Sequence, residues 1–307
     1  MFFVLSGFLI IRLIYQEKIK GKFSIRKFYM RRILRIFPLY YLIVIFGFLF
    51  YQVILPWLEI PFENNYDVME GVLLCLFFLP NVFGHLYAPG GILEILWSIG
   101  IEEQFYLLIA PLMFFIKPKR ILLVLASLTF LYFVIFHGTK FEILKQYQFV
   151  YFFVFAGGVT AILELKNYLA FLKTSILFPL LIVMLTLLYF TTNMLQFEMD
   201  WIQNLVTSIL FSLFIHTLAY NNYGIEIKNK TINYFGTISY GIYMFHAIAL
   251  NFTVFIFLKM KFISNLTDSI VVILINILTF AITILLAHLS YQYFESYFLK
   301  LKQKFRE

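Results

Sequence analysis

The residues with the clearest capacity for chemistry are two adjacent carboxylates, Glu102 and Glu103. They stand in Leu96-Trp97-Ser98-Ile99-Gly100-Ile101-Glu102-Glu103-Gln104-Phe105-Tyr106-Leu107-Leu108, in a stretch that is otherwise apolar as far as Ile116. An acid at membrane depth costs about 3 kcal/mol or more, so acids inside a span face a polar interior and mark function. Neighbouring residues of a helix point about 100° apart. Ser98, Glu102 and Tyr106 therefore share one face by their i, i+4 spacing, and Glu103 shares another with Ile99 and Leu107. One acid can face a cavity while the other braces a neighbouring helix. The rival reading is a structural pair, neutralised by an arginine or by a proton.

Histidines are the natural bases to set beside these acids, since an imidazole exchanges protons near neutrality. His246 sits in the apolar stretch Ile238-Ser239-Tyr240-Gly241-Ile242-Tyr243-Met244-Phe245-His246, and His85 in a segment rich in Gly and Pro. His216 and His288 also fall within apolar stretches, and His137 at the end of one; a lone His in a helical bundle is usually a hydrogen-bonded interior residue. No HxxxH or HExxH spacing occurs, so no metal site is expected. Arginines gather in Phe28-Tyr29-Met30-Arg31-Arg32-Ile33-Leu34-Arg35-Ile36-Phe37-Pro38-Leu39-Tyr40-Tyr41. Arg32 and Arg35 are i, i+3, on one helical face, and guanidinium forks bind phosphate bidentately. Plain anchoring at the inner membrane surface is the rival for this cluster, as an interfacial charge is for Glu295. There is no Gly-x-Ser-x-Gly, P-loop or GxGxxG motif.

The elements that must position these residues are apolar helices. Of the 307 residues, 62% are hydrophobic and 13% charged; a soluble domain has about a quarter of its residues charged. The expected fold class is all-α, a polytopic transmembrane helical bundle, and the 40 Phe and 21 Tyr suit its two interfaces. The single cysteine, Cys75, excludes an intramolecular disulfide and a cysteine metal site. The basic block from Arg12 to Arg35 lies between apolar runs, which favours a cytoplasmic loop touching anionic lipid or an anionic cofactor over nucleic acid.

Apolar runs predict about nine spans: Met1–Tyr15, Ile36–Leu55 with Pro38 in its first turn, Leu96–Ile116, Ile121–Phe136, Tyr147–Leu163, Thr174–Thr192, Trp201–Tyr220, Asn233–Leu258 and Ser269–Glu295. Residues 16–35 are expected to form a basic cytoplasmic loop. The stretch 71–95 has an apolar run of only nine residues (Gly71–Leu79) followed by Pro80, Gly84, Pro89, Gly90 and Gly91. A span needs about 20 residues, so this stretch is expected to be re-entrant or broken. The topology leaves Lys140, Lys145, Lys259 and Lys261 outside and every other Lys and Arg inside, C-terminus included. No fixed-period repeat, low-complexity tract or linker is seen, so residues 1–307 are expected to form one membrane domain. The N-terminal run has no positive region ahead of it and no small-residue cleavage site after it, so it reads as a span and not as a signal peptide.

Four motifs in this order resemble membrane acyltransferase family 3. They are Phe2-Phe3-Val4-Leu5-Ser6-Gly7-Phe8-Leu9-Ile10, Arg31-Arg32-Ile33-Leu34-Arg35-Ile36-Phe37-Pro38-Leu39-Tyr40-Tyr41, Trp97-Ser98-Ile99-Gly100-Ile101-Glu102-Glu103-Gln104-Phe105-Tyr106 and Ile238-Ser239-Tyr240-Gly241-Ile242-Tyr243-Met244-Phe245-His246. The resemblance implies a ten-helix O-acyltransferase of the inner or plasma membrane. Such an enzyme moves an acyl group, often acetyl, from cytoplasmic acyl-CoA to a hydroxyl of a surface carbohydrate or glycoconjugate. No tightly bound cofactor is implied; acyl-CoA is the donor, and membrane lipid and the acceptor are the other partners. The resemblance further implies that Arg31, Arg32, Arg35 and Tyr40 serve the donor, and that Glu102, Glu103, His85 and His246 serve catalysis or the cavity wall. The family's first helix carries an Arg and a His that no residue here matches, so the chain is expected to be N-terminally incomplete. Two rival functions remain: a transporter of a polysaccharide intermediate, since buried acids and a broken helix serve a proton-coupled carrier equally well, and a non-catalytic homologue that scaffolds a partner.

Overall fold

The structure is a computed structural model, and it describes residues 1–138, 141–173, 176–219, 229–259 and 267–305. All regular secondary structure among the described residues is helical. Among the described residues, five helices are long and apolar enough to cross a membrane: Ile25–Trp57, Pro118–His137, Asp200–Ala219, Lys230–Leu258 and Asp268–Gln303. Tyr151–Leu165 and Leu177–Thr191 are shorter apolar helices. Expectations that fall on Lys140, Thr174, Tyr220, residues 221–228, Lys261 and Arg306 lie outside the described residues.

One expectation about local structure is corrected. Residues 16–35 are not a loop: the first helix, Phe2–Ile19, runs into the basic block, and the next, Ile25–Leu49, begins inside it. Pro38 accordingly stands in the interior of the second helix and not in its first turn. Lys and Arg are good helix formers, and nothing in the block resists a helix except Gly21, whose φ of +67° makes the turn.

The chain divides into two compact units. The first comprises residues 1–25 and 101–226. Its centre is a contact between the Phe2–Ile19 helix and the Tyr151–Leu165 helix at backbone distance. A Cβ on Gly7 would fall 1.9 Å from the Val154 carbonyl oxygen, and one on Gly157 would fall 1.9 Å from the Val4 carbonyl oxygen. Small residues let helices approach this closely where water offers no drive to associate. Val4, Phe8, Ala161, Leu210, Phe211 and Ile215 then form a shared core with the Asp200–Ala219 helix. At the other end of the first helix, Lys18 Nζ donates to the carbonyls of Met113, Phe114 and Ile116, capping the C-terminus of the Trp97–Phe115 helix.

The second unit comprises residues 26–100 and 227–307. Its first long helix continues through a π turn, Phe50–Ile54, to Trp57. The stretch expected to be broken forms three short helices, Val68–Leu76, Pro80–Tyr87 and Gly91–Glu94. Asp67 caps the first of these through the Glu70 N–H at 3.0 Å, and Pro80 begins the second where its missing N–H does no harm. Phe78 and Ala88 take left-handed backbone, and Gly90 has φ +98°. Gly90 must be glycine for a second reason, because a Cβ there would meet the Tyr51 ring at 2.3 Å. The Tyr51 hydroxyl accepts the Ile92 N–H at 3.1 Å and so pins the break to the long helix.

The glycine contact of the first unit predicts a stability pattern. Gly157→Ala should cost about 1–3 kcal/mol through forced helix separation, read as a lowered unfolding midpoint in detergent. Gly236→Ala, where a Cβ meets open space within a helix, should be neutral or stabilising by up to about 1 kcal/mol.

Candidate functional site

Glu102 and Glu103 lie on the Trp97–Phe115 helix and are 9% and 4% exposed. The Ser6 hydroxyl donates to Glu102 Oε1, and so does the Tyr106 hydroxyl one turn along the same helix. Ser6 Oγ and Tyr106 Oη stand 2.6 Å apart. The expected i, i+4 relation of Glu102 and Tyr106 is thus realised as a bond. Ser6 was not anticipated by residue type, since a lone serine in an apolar run carries no signal of its partner. In the same unit, the carboxylate of Glu164 (7% exposed) pairs with Arg12 at 3.1 Å.

In the second unit, Ser98 belongs to a different cluster from Glu102. Its Oγ lies 2.6 Å from the hydroxyl of Tyr243, which also donates to the Ile95 carbonyl at 2.6 Å. His246 is half-buried, and its Nδ1 bonds the Tyr243 carbonyl one turn back. A carbonyl only accepts, so Nδ1 holds the proton and Nε2 is the basic nitrogen of the neutral ring. His85 is exposed on the Pro80–Tyr87 helix. Tyr40 is fully buried: its hydroxyl donates to the Cys75 carbonyl at 2.8 Å and its ring stacks on Phe78 at 4.7 Å.

The three arginines point to different neighbours. Arg31 is 7% exposed and bonds the Phe305 carbonyl at 3.1 Å. The Arg32 guanidinium lies 6.0 Å from the centre of the Phe28 ring. Arg35 lines a cavity of about 390 Å³ together with Asn233, Thr237, Tyr240, Glu295 and Lys302. Glu295 is 8% exposed, accepts the Ser290 hydroxyl at 2.9 Å and closes a π turn, Tyr291–Glu295. Such turns recur at functional sites. Arg31, Arg32, Tyr40, His85 and His246 do not line this cavity. Sequence reasoning missed Asn233, Thr237, Tyr240 and Lys302 as cavity residues; the signal that could have found them is helical spacing, i, i+4, i+7 for Asn233, Thr237 and Tyr240 and again for Glu295, Leu299 and Lys302.

A family model described as "Acyltransferase domain" matches residues 1–288. The chain belongs to this acyltransferase family. An "Uncharacterized protein" of Haemophilus influenzae (strain ATCC 51907 / DSM 11121 / KW20 / Rd) is 27% identical over 257 residues, which is 72% of this chain and 98% of the relative. A protein of Acidianus two-tailed virus named "Putative acetyltransferase ORF330" is 26% identical over 259 residues, 80% of this chain and 70% of the relative. No solved structure matches. The four motifs of this acyltransferase thus supply Ser6, Arg35, Glu102, Tyr106 and His246, each with a defined place within one or other unit.

The buried Tyr40 makes a test that separates support from donor contact. Tyr40→Phe leaves the Cys75 carbonyl without its donor and should cost about 1–3 kcal/mol of stability, read by thermal unfolding in detergent.

Proposed function

We propose that this acyltransferase is an integral membrane O-acyltransferase that moves an acyl group, acetyl first among candidates, from acyl-CoA to a hydroxyl of a carbohydrate or glycoconjugate. The observation that carries the reading is the family match over residues 1–288, which makes acyl transfer the expected reaction. In that reaction the acceptor oxygen attacks the thioester carbonyl, a C–O bond forms and the C–S bond breaks. The acceptor proton passes to a base, and the thiolate leaves and is protonated. His246 Nε2 is the base this reading assigns, with His85 the second candidate. Glu102, with Glu103 beside it, is the carboxylate this reading assigns to the chemistry.

The cavity at Arg35 supports the donor side. Two cations, Arg35 and Lys302, face one space, as the phosphates of CoA require. Arg31 and Arg32 flank Arg35 on the same helix and hold its N-terminal turns; Tyr40 braces that helix from within. Nine crossings with the Arg26–Arg35 segment and the C-terminal helix on the cytoplasmic side complete the reading, because the excess of cations marks that side and acyl-CoA is cytoplasmic.

The test is CoA release from radiolabelled acetyl-CoA by the purified protein in lipid nanodiscs, with a polysaccharide acceptor present. Arg35→Ala and Lys302→Ala should each raise KM for acetyl-CoA by about tenfold, the loss of one charge-assisted bond. Glu102→Gln should lower kcat at unchanged membrane level. Full activity in Arg35→Ala, Glu102→Gln and Glu103→Gln together would sink the proposal, and substrate transport without CoA release would replace it with the carrier.

A further inference from the structure

Many hydroxyls on the helices of this protein are satisfied within their own helix. Thr129, Thr160, Ser208 and Thr283 each donate to the carbonyl four residues back in their own helix, at 2.7 to 2.9 Å. This is how a helical Ser or Thr satisfies itself in apolar surroundings at little cost. Ser6 is not among them. It reaches across 96 positions of sequence to the Glu102 carboxylate, with both groups buried.

The two donors on Glu102 Oε1 are not equivalent. Tyr106 lies on the same helix as Glu102 and moves with it. Ser6 lies on the Phe2–Ile19 helix, which the Gly7 and Gly157 contacts hold against the Tyr151–Leu165 helix at backbone distance. Ser6 is therefore the tie between the carboxylate and a separate, closely packed pair of helices. Both donors land on Oε1, and neither draws on the acceptor capacity of Oε2.

From this geometry we infer that Ser6 is a positioning residue for acyl transfer: it fixes the Glu102 carboxylate so that Oε2 is presented to the reaction. The inference rests on the role given to Glu102 above. Ser6 touches neither donor nor acceptor, and it acts through the carboxylate alone. A group held only by a residue of its own helix keeps the freedom of its own side chain, and a misplacement of about 1 Å is enough to cost on the order of a hundredfold in rate.

The test is a double-mutant cycle on the full chain in lipid nanodiscs, using acetyl-CoA and a polysaccharide acceptor. Ser6→Ala should lower kcat by about ten- to a hundredfold, the worth of one hydrogen bond to a charged group, with KM for acetyl-CoA within about twofold of wild type. In the Glu102→Gln background the same substitution should have no further effect, because the group it positions is gone. A second reading is independent of turnover. The carboxyl infrared band assigned to Glu102 by its disappearance in Glu102→Gln should shift in Ser6→Ala, and it decides the matter if Glu102→Gln is too slow to measure. A kcat within about twofold of wild type, an equal loss in both backgrounds, or an unshifted band would each overturn the role of Ser6. A wild type that transfers no acyl group would instead overturn the proposed function, and the role with it.

Discussion

Carboxylates withdrawn from water must be met by donors, because stripping a charge of its hydration without replacing the hydrogen bonds costs several kcal/mol. Four carboxylates are buried among the described residues, and Glu164, Glu295 and Glu102 are each answered differently. Glu164 takes a guanidinium, from Arg12. Glu295 takes the Ser290 hydroxyl in a widened turn and faces a cavity that also contains Arg35 and Lys302. Glu102 takes two hydroxyls and no cation among its hydrogen bonds to the described residues. The ion pair cancels its charge locally, whereas hydroxyls orient a carboxylate and leave it chemically available.

Meeting Glu102 requires a second helix at a fixed place, and glycine provides it. Gly7 and Gly157 remove the Cβ atoms that would otherwise hold two backbones apart, so Val4, Phe8 and Ile11 pack directly along Val154, Gly157 and Gly158. Ser6 lies within this packed stretch, and its hydroxyl inherits the stiffness of the contact. Lys18 then binds the far end of the same helix to the carbonyls at the end of the Trp97–Phe115 helix. The helix that carries Ser6 and the helix that carries Glu102 are thus tied twice, once by the hydroxyl and once by the ammonium.

The second unit solves a different problem, that of irregular backbone. Three short helices in 68–94 leave helix ends whose N–H and C=O groups need partners. Tyr40 and Tyr51 on the long helix supply two, one donating to the Cys75 carbonyl and the other accepting the Ile92 N–H. Rings that fill space also supply the polar tip, which is one use of a chain so rich in Tyr. The broken stretch thereby becomes a defined shape, with Ser98, Tyr243 and His246 linked at its far end.

The sequence by itself determined the class of structure and the family. An excess of apolar residues with few charges leaves only helices able to satisfy their backbones, and Pro80, Gly84, Gly90 and Gly91 announce the break in 71–95 because each is costly inside a regular helix. The i, i+4 relation of Glu102 and Tyr106 was also legible, since helical periodicity fixes it without reference to the rest of the fold. Where the basic block changes from one helix to the next was not, because Lys and Arg suit helix and loop alike and only Gly21 marks the turn. Nor could sequence choose among the arginines: Arg31, Arg32 and Arg35 share one motif, yet a carbonyl claims the first, an aromatic ring lies by the second and a cavity opens beside the third. The pairing of Ser6 with Glu102 was likewise decided by tertiary structure. Spacing along a chain fixes which residues share a helical face, but contacts between residues 96 positions apart depend on which helices pack together, and that is set by the shapes of their surfaces.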